Sequence, residues 1–324
     1  MSGTGHSVPE GRLTNADLEQ RVETSDEWIV ARTGIRERPM SNDSEYTSTF
    51  AIEAGRAALD MAGLQPADVD LIVCATVTPD MLFPSTACFV QEGLGAKNAA
   101  AFDINAGCSG FVYGLQVVSQ FIAGGGARRA LLIGAETLTK IVDWQDRSTC
   151  VLFGDGAGAV VVEAADVGAD DGLLGTAIHS DGAFADLIEM PAGGSRIPPS
   201  TPGIVEDRLP FIKMRGNEVF KVAVRTLAQT SETILDRCGL TDDEVRWMIP
   251  HQANGRIIQA VGQRLGLADE RVYVNVERFG NTSAASIPIA LDELNRAGKI
   301  GSGDVILMAA FGAGLTWGSA GVRW

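Results

Sequence analysis

The chain has 324 residues, of which 45% are hydrophobic and 21% are charged, with 41 acidic against 26 basic side chains. This composition is ordinary for a globular enzyme, and the length suits two core-forming halves better than one small domain. The formal net charge of -15 disfavours binding to nucleic acid or to an anionic membrane, because a field of that sign repels both. An acidic protein partner would need a local basic patch.

The five cysteines do not suggest a disulfide framework, because their number is odd and none forms a Cys-x-x-Cys pair. A reducing cytoplasm is therefore the expected location. Residues 1–11 lack a basic segment followed by an apolar run, so we expect no signal peptide. No run of about 18 apolar residues occurs, so we also expect no membrane-spanning helix.

Strand-like and helix-like patterns alternate along the chain. Helical periodicity occurs at 49–62 and 216–238, and continuous β-rich apolar runs, typical of strands buried on both faces, occur around them. Those runs lie at 69–77, 130–134, 157–162, 305–310 and 318–324. The alternation predicts an α/β architecture.

The second half of the sequence repeats the order of features in the first half. A Gly-Leu pair followed by a strand at 63–77 corresponds to a similar pair and strand at 239–250. A strand ending at Asn105 corresponds to one expected at 274–276. Matched positions remain about 170–176 residues apart, which favours an internal duplication over chance matches.

We therefore predict two related α/β halves, an N-terminal half at 1–165 and a C-terminal half at 166–324. Equivalent turns of two such halves can face each other across a pseudo-twofold axis. Cys108 and Asn281 lie at equivalent turns, so each could project from its own half into one shared site.

The turn at 106–110 contains only small residues and joins a predicted strand at 98–105 to a predicted apolar helix at 111–123. Cys108 would then lie at the amino end of a helix. There the helix dipole and free N–H groups favour a thiolate, which should lower the thiol pKa below its usual value of about 8.5. The same N–H groups could stabilise an oxyanion on a thioester. A buried cysteine with a purely structural role remains an alternative.

His251 and Asn281 lie at two further turns that precede predicted helices. A strand stops at Pro250, and His251 follows on a strand-to-helix loop, the usual position of functional residues on an open α/β sheet. Asn281 lies in a turn of small residues at 279–284. Taken alone, the histidine could be a structural residue and the asparagine an N-cap.

Seven segments together resemble β-ketoacyl-acyl carrier protein synthase III, a thiolase-fold family that starts bacterial fatty acid synthesis. The resemblance covers nearly the whole chain and implies a thiolase-like duplicated α/β fold with five layers, αβαβα, and two mixed sheets. Family members open with a fuller strand, so a truncated first strand is expected here. The segments are 24–29, 32–38, 105–110, 153–159, 250–254, 280–283 and 311–314.

The resemblance implies a Cys-His-Asn mechanism without a metal or redox cofactor. Cys108 would take the acyl group of an acyl-coenzyme A, with acetyl-coenzyme A as the expected primer. His251 and Asn281 would then donate hydrogen bonds to the thioester of malonyl-acyl carrier protein as carbon dioxide leaves. The oxyanion hole and an apolar gate beside the malonyl carboxylate are assigned by resemblance to Phe311, Gly312 and Ala313.

The remaining family positions concern binding. Phe83 would form the floor of the acyl pocket of the other subunit in a homodimer. Without the resemblance, Trp28 could simply pack on the surface and Arg147 could form an ion pair. The basic residues Lys221, Arg256 and Arg264 could belong to solvated helix faces. Carrier-protein docking is assigned by resemblance to Lys221, Arg256 and Arg264. The coenzyme A site is assigned to Thr24, Trp28, Arg32, Arg147, Gly216, Phe220 and Asn254, with Trp28 and Arg147 stacking on the adenine.

Three other interpretations compete with this one. A related condensing enzyme or acyltransferase of specialised, polyketide-like metabolism would use the same three residues. A thiolase would carry a second catalytic cysteine near the C-terminal glycines, and the segment 311–315 has none. A non-catalytic thioester-binding protein of the same fold is disfavoured by the intact Cys108, His251 and Asn281.

Overall fold

The computed structural model describes residues 1–165 and 168–324. The predicted boundary between the two halves, at 165–166, adjoins residues 166 and 167, which lie outside the described residues. The strands are β1 (Gly3–Ser7), β2 (Arg12–Thr14), β3 (Glu37–Pro39), β4 (Leu71–Ala75), β5 (Ala100–Ile104), β6 (Arg129–Thr137), β7 (Asp155–Glu163), β8 (Gly172–Ser180), β9 (Ile188–Glu189), β10 (Lys213–Met214), β11 (Val245–Pro250), β12 (Val305–Gly312) and β13 (Thr316–Arg323). The helices are α1 (Asn15–Glu19), α2 (Asp26–Thr33), α3 (Thr47–Ala62), α4 (Thr86–Leu94), α5 (Gly110–Ala123), α6 (Arg147–Cys150), α7 (Gly216–Cys238), α8 (Gly255–Arg264), α9 (Val276–Phe279) and α10 (Ser286–Arg296).

Two mixed sheets organise the chain. The first has the strand order β1-β7-β6-β4-β5 and the second has the order β11-β12-β13-β8. In the first sheet β4 is parallel to β5 and β6, while β7 is antiparallel to β1 and β6. In the second sheet β11 is parallel to β12, while β13 is antiparallel to β12 and β8. The series β1-β7-β6-β4 and β8-β13-β12-β11 therefore share one order and one set of directions, as the duplicated fold predicts.

The helices form three layers around the two sheets. Helices α3 and α4 pack on the outer face of the first sheet, and α7 and α8 pack on the outer face of the second. Helices α5 and α10 lie between the sheets and contact both. The central strands β4 and β12 are apolar along their whole length because helices cover both faces of each sheet. This arrangement confirms the predicted αβαβα layering.

None of the helices in the described parts of the chain combines the length and the apolarity that crossing a bilayer requires.

The strand expected at 274–276 in the second half is not formed, so that expectation is wrong. Val272 makes only a single parallel bridge to β11. The side-chain amide of Gln252 explains the difference, because it donates to the Tyr273 carbonyl oxygen at 3.1 Å and accepts from the Asn275 N–H at 2.9 Å. These two hydrogen bonds use backbone groups of Tyr273 and Asn275 that would otherwise pair with a neighbouring strand.

The first strand is short, with five residues in β1 against nine in its neighbour β7. All five residues of β1 pair with β7. Asp292 of α10 anchors the strand, since it accepts hydrogen bonds from the Thr4 hydroxyl at 2.6 Å and from His6 Nδ1 at 2.5 Å. The short sequence before Gly3 is therefore sufficient for the sheet edge to form.

Candidate active site

A cavity of about 540 Å³ has Cys108, His251, Asn281 and Phe311 in its wall. Its volume lies in the range typical of small-molecule sites. The three polar residues come from three turns that are far apart in the sequence. Their convergence is the central expectation of the sequence analysis, and the cavity brings all three together.

The Cys108 turn is held against the turn between β12 and β13. Gly107 has φ +55°, in the left-handed region, and a Cβ there would lie 2.7 Å from the Ala313 nitrogen. A Cβ on Gly312 would lie 2.4 Å from the Cys108 nitrogen. The two turns therefore touch through their backbones, and only glycine fits at the contact. Gly312 and Ala313 are not among the residues that line the cavity.

The thiol of Cys108 has a raised pKa, so the expectation of a lowered value is wrong. Burial raises the pKa of the thiol to about 12, the Ser283 hydroxyl lowers it, and the charge of Glu136 raises it. The amino end of α5 does not offset the cost of removing a thiolate from water. Cys108 thus rests as a neutral thiol and must lose its proton when it attacks.

His251 follows β11 and is held by a serine of α10. Its Nδ1 lies 2.7 Å from the Ser286 hydroxyl oxygen, which also accepts from the Gln252 N–H at 3.3 Å. The Ser286 hydroxyl can donate to Nδ1, an arrangement that places the ring proton on Nε2. Burial lowers the pKa of His251 to about 3. At neutral pH the imidazole is uncharged, and with the Ser286 hydroxyl as donor its Nε2 carries the proton.

Asn281 is fixed on both its backbone and its side chain. Its N–H donates to the Leu152 carbonyl oxygen at 2.8 Å, and its carbonyl oxygen accepts from the Gly154 N–H at 3.1 Å. Its side-chain Oδ1 accepts from the Ser283 N–H at 2.8 Å. Because Oδ1 is occupied in this way, the amide nitrogen Nδ2 is the part of the side chain that is left to donate.

Five of the residues expected to bind coenzyme A line the cavity, namely Trp28, Arg32, Gly216, Phe220 and Asn254. The guanidinium carbons of Arg32 and Arg147 lie 4.4 and 4.6 Å from the centroid of the Trp28 ring. Arg147 also donates to the Glu23 carbonyl oxygen at 2.7 Å and lies just outside the wall. Thr24 is outside it as well, and its buried hydroxyl finds no hydrogen-bond partner among the described residues.

The residues assigned to protein contacts are distributed differently. Lys221 and Arg256 line the cavity, and both are exposed. Arg264 is the last residue of α8 and does not reach the cavity. Phe83 lies away from it too, on the loop before α4, where it is 83% exposed.

Three polar residues at the site were missed by the sequence analysis. Ser286 orients His251, while Ser283 and Glu136 act on the pKa of Cys108. Glu136 lies two residues beyond the apolar run predicted at 130–134, and only the structure, in which β6 extends to Thr137, shows that it is inside a buried strand. Ser283 and Ser286 carried no signal, since serines are common in turns that begin helices.

The contact between the two turns gives a first prediction. Gly312→Ala should displace the Cys108 backbone and slow alkylation of Cys108 by iodoacetamide about tenfold or more, with circular dichroism checking the fold. Gly182→Ala is the matched control, because a Cβ there meets nothing within 4 Å. Wild-type alkylation of a folded Gly312→Ala variant would contradict the proposed contact.

Comparison with known proteins agrees with this geometry. Residues 102–182 match the family model for 3-oxoacyl-[acyl-carrier-protein] synthase III, and residues 235–324 match the model for its C-terminal part. The β-ketoacyl-[acyl-carrier-protein] synthase III of Caldanaerobacter subterraneus subsp. tengcongensis is 55% identical over 99% of this chain and 96% of its own.

Solved structures extend the comparison. The 3-oxoacyl-[acyl-carrier-protein] synthase III of Aquifex aeolicus has a TM-score of 0.92 and 47% identity, covering 100% of this chain and 99% of its own. The priming β-ketosynthase of the R1128 polyketide pathway has a TM-score of 0.90 and 35% identity, covering 99% of this chain and 94% of its own. The chain belongs to the β-ketoacyl-acyl carrier protein synthase III family.

Proposed function

We propose that the chain condenses an acyl-coenzyme A primer, with acetyl-coenzyme A as the expected primer, with malonyl-acyl carrier protein. Carbon dioxide is lost, and the product is a 3-ketoacyl-acyl carrier protein that starts fatty acid synthesis. The observation that carries the proposal is that Cys108, His251 and Asn281 line one cavity. One site then holds a nucleophile and two hydrogen-bond donors, which acyl transfer and enolate formation both require.

In the first half-reaction Cys108 attacks the thioester carbonyl. A carbon–sulfur bond to Cys108 forms, the bond to the coenzyme A sulfur breaks, and an acyl-cysteine remains. The oxyanion is stabilised by backbone N–H groups of Cys108 and of the turn at 311–314. The support is the direct backbone contact of Gly312 with Cys108, which brings the two groups of donors together.

In the second half-reaction the malonyl thioester oxygen accepts hydrogen bonds from His251 Nε2 and Asn281 Nδ2. Both are neutral donors whose other polar atoms are already occupied. They stabilise the enolate that forms as carbon dioxide leaves, and the enolate carbon attacks the acyl-cysteine. Phe311, only 4% exposed, is apolar surface that solvates the malonyl carboxylate poorly and favours its loss.

The proposed cycle is thioester chemistry throughout and needs no metal or redox cofactor. Coenzyme A would enter past Trp28, and its adenine would stack on the pair formed by Trp28 and Arg147 once the Arg147 guanidinium moves from its present position 4.6 Å from the indole centroid. The unpartnered Thr24 hydroxyl supports a polar contact nearby. All five cysteines are free thiols, which supports the reducing cytoplasm as the place of action.

The division of roles can be tested by mass spectrometry. Wild-type protein mixed with acetyl-coenzyme A should carry an acetyl group on the Cys108 peptide. His251→Ala and Asn281→Ala should still acylate, but should each lose about 10²- to 10³-fold in malonyl decarboxylation, because each removes one enolate donor. Loss of acylation in both variants would show that the roles are divided wrongly, and absence of any adduct in the wild type would remove the proposed function.

The acidic carrier protein would dock on the basic residues beside the cavity, as the resemblance implies. Lys221 and Arg256 are exposed there, whereas Arg264 is further away along α8 and would contribute less. Against a net charge of -15, these side chains offer a local field of the opposite sign.

Charge reversal tests this docking site. Lys221→Glu with Arg256→Glu should raise KM for malonyl-acyl carrier protein about tenfold or more at low salt, and added salt should reduce the difference. Lys299→Glu, on the segment after α10, is the control. An unchanged KM in the double variant, with acetylation of Cys108 intact, would rule out docking at these residues.

We also propose that the chain is a homodimer. Leu82 and Phe83 are 76% and 83% exposed on one loop, and an exposed apolar surface of this kind favours burial by a second copy. By resemblance, Phe83 would then close the partner's acyl pocket. Analytical ultracentrifugation should show a dimer, and Phe83→Asp should shift it to a single 34.1 kDa chain. Sedimentation of the wild type as that single chain would contradict the proposal.

Specialised polyketide-like metabolism is the alternative function. The R1128 priming ketosynthase is 35% identical to this chain, against 55% for the Caldanaerobacter synthase, so the comparison favours fatty acid synthesis. The two functions share the reacting residues and differ in the primer. A panel of acyl-coenzyme A primers, scored by acylation rate, would separate them.

A further inference from the structure

One arginine is completely buried next to the turn that carries Asn281. Arg38 of β3 has no exposed surface and is the largest of the fully buried side chains. Within the described parts of the chain it forms no salt bridge. A buried charge without a direct counter-charge is costly, so the place of this guanidinium in the structure calls for an explanation.

The guanidinium of Arg38 joins two separate parts of the chain by hydrogen bonds. Its Nη2 donates to the Val151 carbonyl oxygen at 2.7 Å. Its Nη1 donates to the Leu13 carbonyl oxygen at 3.1 Å and to Asn15 Oδ1 at 2.8 Å. Arg38 therefore connects β2 and the beginning of α1 to the residue that follows α6.

The amide of Asn15 is itself fixed by the residues around it. Its Nδ2 donates to Asp26 Oδ1 at 2.8 Å and to the Ile35 carbonyl oxygen at 2.9 Å. These two bonds orient the amide so that Oδ1 faces Arg38. Burial lowers the pKa of Arg38 to about 10, which leaves the guanidinium charged at neutral pH. A charged donor is thus held in one place by an acceptor that cannot turn away.

Val151 belongs to the segment that fixes the backbone of Asn281. The next carbonyl oxygen along the chain, that of Leu152, accepts from the Asn281 N–H at 2.8 Å, and the Gly154 N–H donates to the Asn281 carbonyl oxygen at 3.1 Å. Val151, Leu152 and Asn281 also line the cavity. Arg38 therefore holds the segment on which the position of Asn281 depends.

The aliphatic stem of Arg38 packs on the same pairing. A Cβ on Gly154 or on Gly280 would lie 3.1 Å from the Arg38 Cβ. A Cβ on Gly280 would also lie 2.7 Å from the Leu152 carbonyl oxygen. The Asn281 turn is therefore fixed both by the stem of Arg38 and by the segment that the guanidinium holds.

We propose that Arg38 is a positioning residue for Asn281, because it holds residues 151–154 and the Asn281 turn where the amide Nδ2 reaches the malonyl thioester oxygen. The inference rests on the proposed function, in which Asn281 donates to the forming enolate. Arg38 does not line the cavity, so it acts through Asn281. Cys108 is held by a separate contact with Gly312, so acylation does not depend on Arg38.

The test compares the two half-reactions in Arg38→Lys. Lysine keeps the charge but lacks the planar fork, so it cannot hold Val151 and Asn15 together. Carbon dioxide release from saturating malonyl-acyl carrier protein should become about 10- to 30-fold slower, because a misplaced donor loses much of its effect. Single-turnover acetylation of Cys108 by saturating acetyl-coenzyme A should stay within about twofold of the wild-type rate.

A double-mutant cycle with Asn281→Ala separates positioning from general destabilisation. In the Asn281→Ala background, Arg38→Lys should slow carbon dioxide release by less than about twofold, because the donor that Arg38 positions is already absent. A structural role alone would give the same loss in both backgrounds, since it would not depend on Asn281.

Arg271→Lys is the matched control, because it makes the same substitution at another arginine that holds backbone carbonyl groups. The Arg271 guanidinium donates to the carbonyl oxygen of Val245 at 2.9 Å and to those of Asp242 and Asp243 at 2.8 Å. Arg271 does not line the cavity. The variant should keep wild-type rates in both half-reactions, even where thermal unfolding shows a loss of stability like that of Arg38→Lys.

Three results would overturn the inference: wild-type carbon dioxide release in folded Arg38→Lys, an equal loss in both half-reactions, or the same loss with and without Asn281. If circular dichroism shows that Arg38→Lys does not fold, Asn15→Ala takes its place, since it removes one acceptor of the guanidinium. It should slow carbon dioxide release about three- to tenfold with acetylation unchanged, and the same three results would then count against the inference.

If the wild type forms no acetyl adduct, the proposed function fails instead. Hydrogen–deuterium exchange then decides without a substrate whether Arg38 holds Asn281. The peptide that contains residues 279–284 should exchange faster in Arg38→Lys than in the wild type or in Arg271→Lys, because the hydrogen bond from Asn281 to Leu152 opens more often. Unchanged exchange would overturn the inference.

Discussion

The site depends on one backbone contact between two turns, one from each sheet. Gly312, at the end of β12, lies so close to the Cys108 nitrogen that no side chain fits between them. The contact sets the position of the nucleophile. A second close contact, between Gly107 and the Ala313 backbone, extends it. The cavity wall is therefore built where the two halves of the chain meet, and neither half contains it alone.

The duplicated fold also explains where the other groups lie. The two helices of the middle layer, α5 and α10, begin close to the same cavity. Cys108 precedes α5, and Ser286, which orients His251, is the first residue of α10. Helix α5 thus follows Cys108 in the sequence, and α10 follows the turn that contains Asn281. Equivalent positions in the two halves have diverged into complementary chemical roles.

Local sequence patterns predicted much of this architecture, but they did not predict the electrostatics of the site. The helix expected at 216–238 coincides with α7, and the turn at 106–110 precedes α5, because apolar periodicity and small residues are local signals. The strand expected at 274–276 failed because the Gln252 side chain replaced a strand partner. The pKa of Cys108 was predicted in the wrong direction, since burial depends on the whole fold and outweighs the end of a helix.

The raised pKa of the Cys108 thiol has a further consequence for the protein in a cell. Peroxides react with the thiolate form of cysteine and hardly at all with the protonated form. Because burial raises the pKa of Cys108, its thiolate fraction is smaller than that of an exposed cysteine. The burial that makes Cys108 harder to activate therefore also protects it from sulfenic acid formation between turnovers.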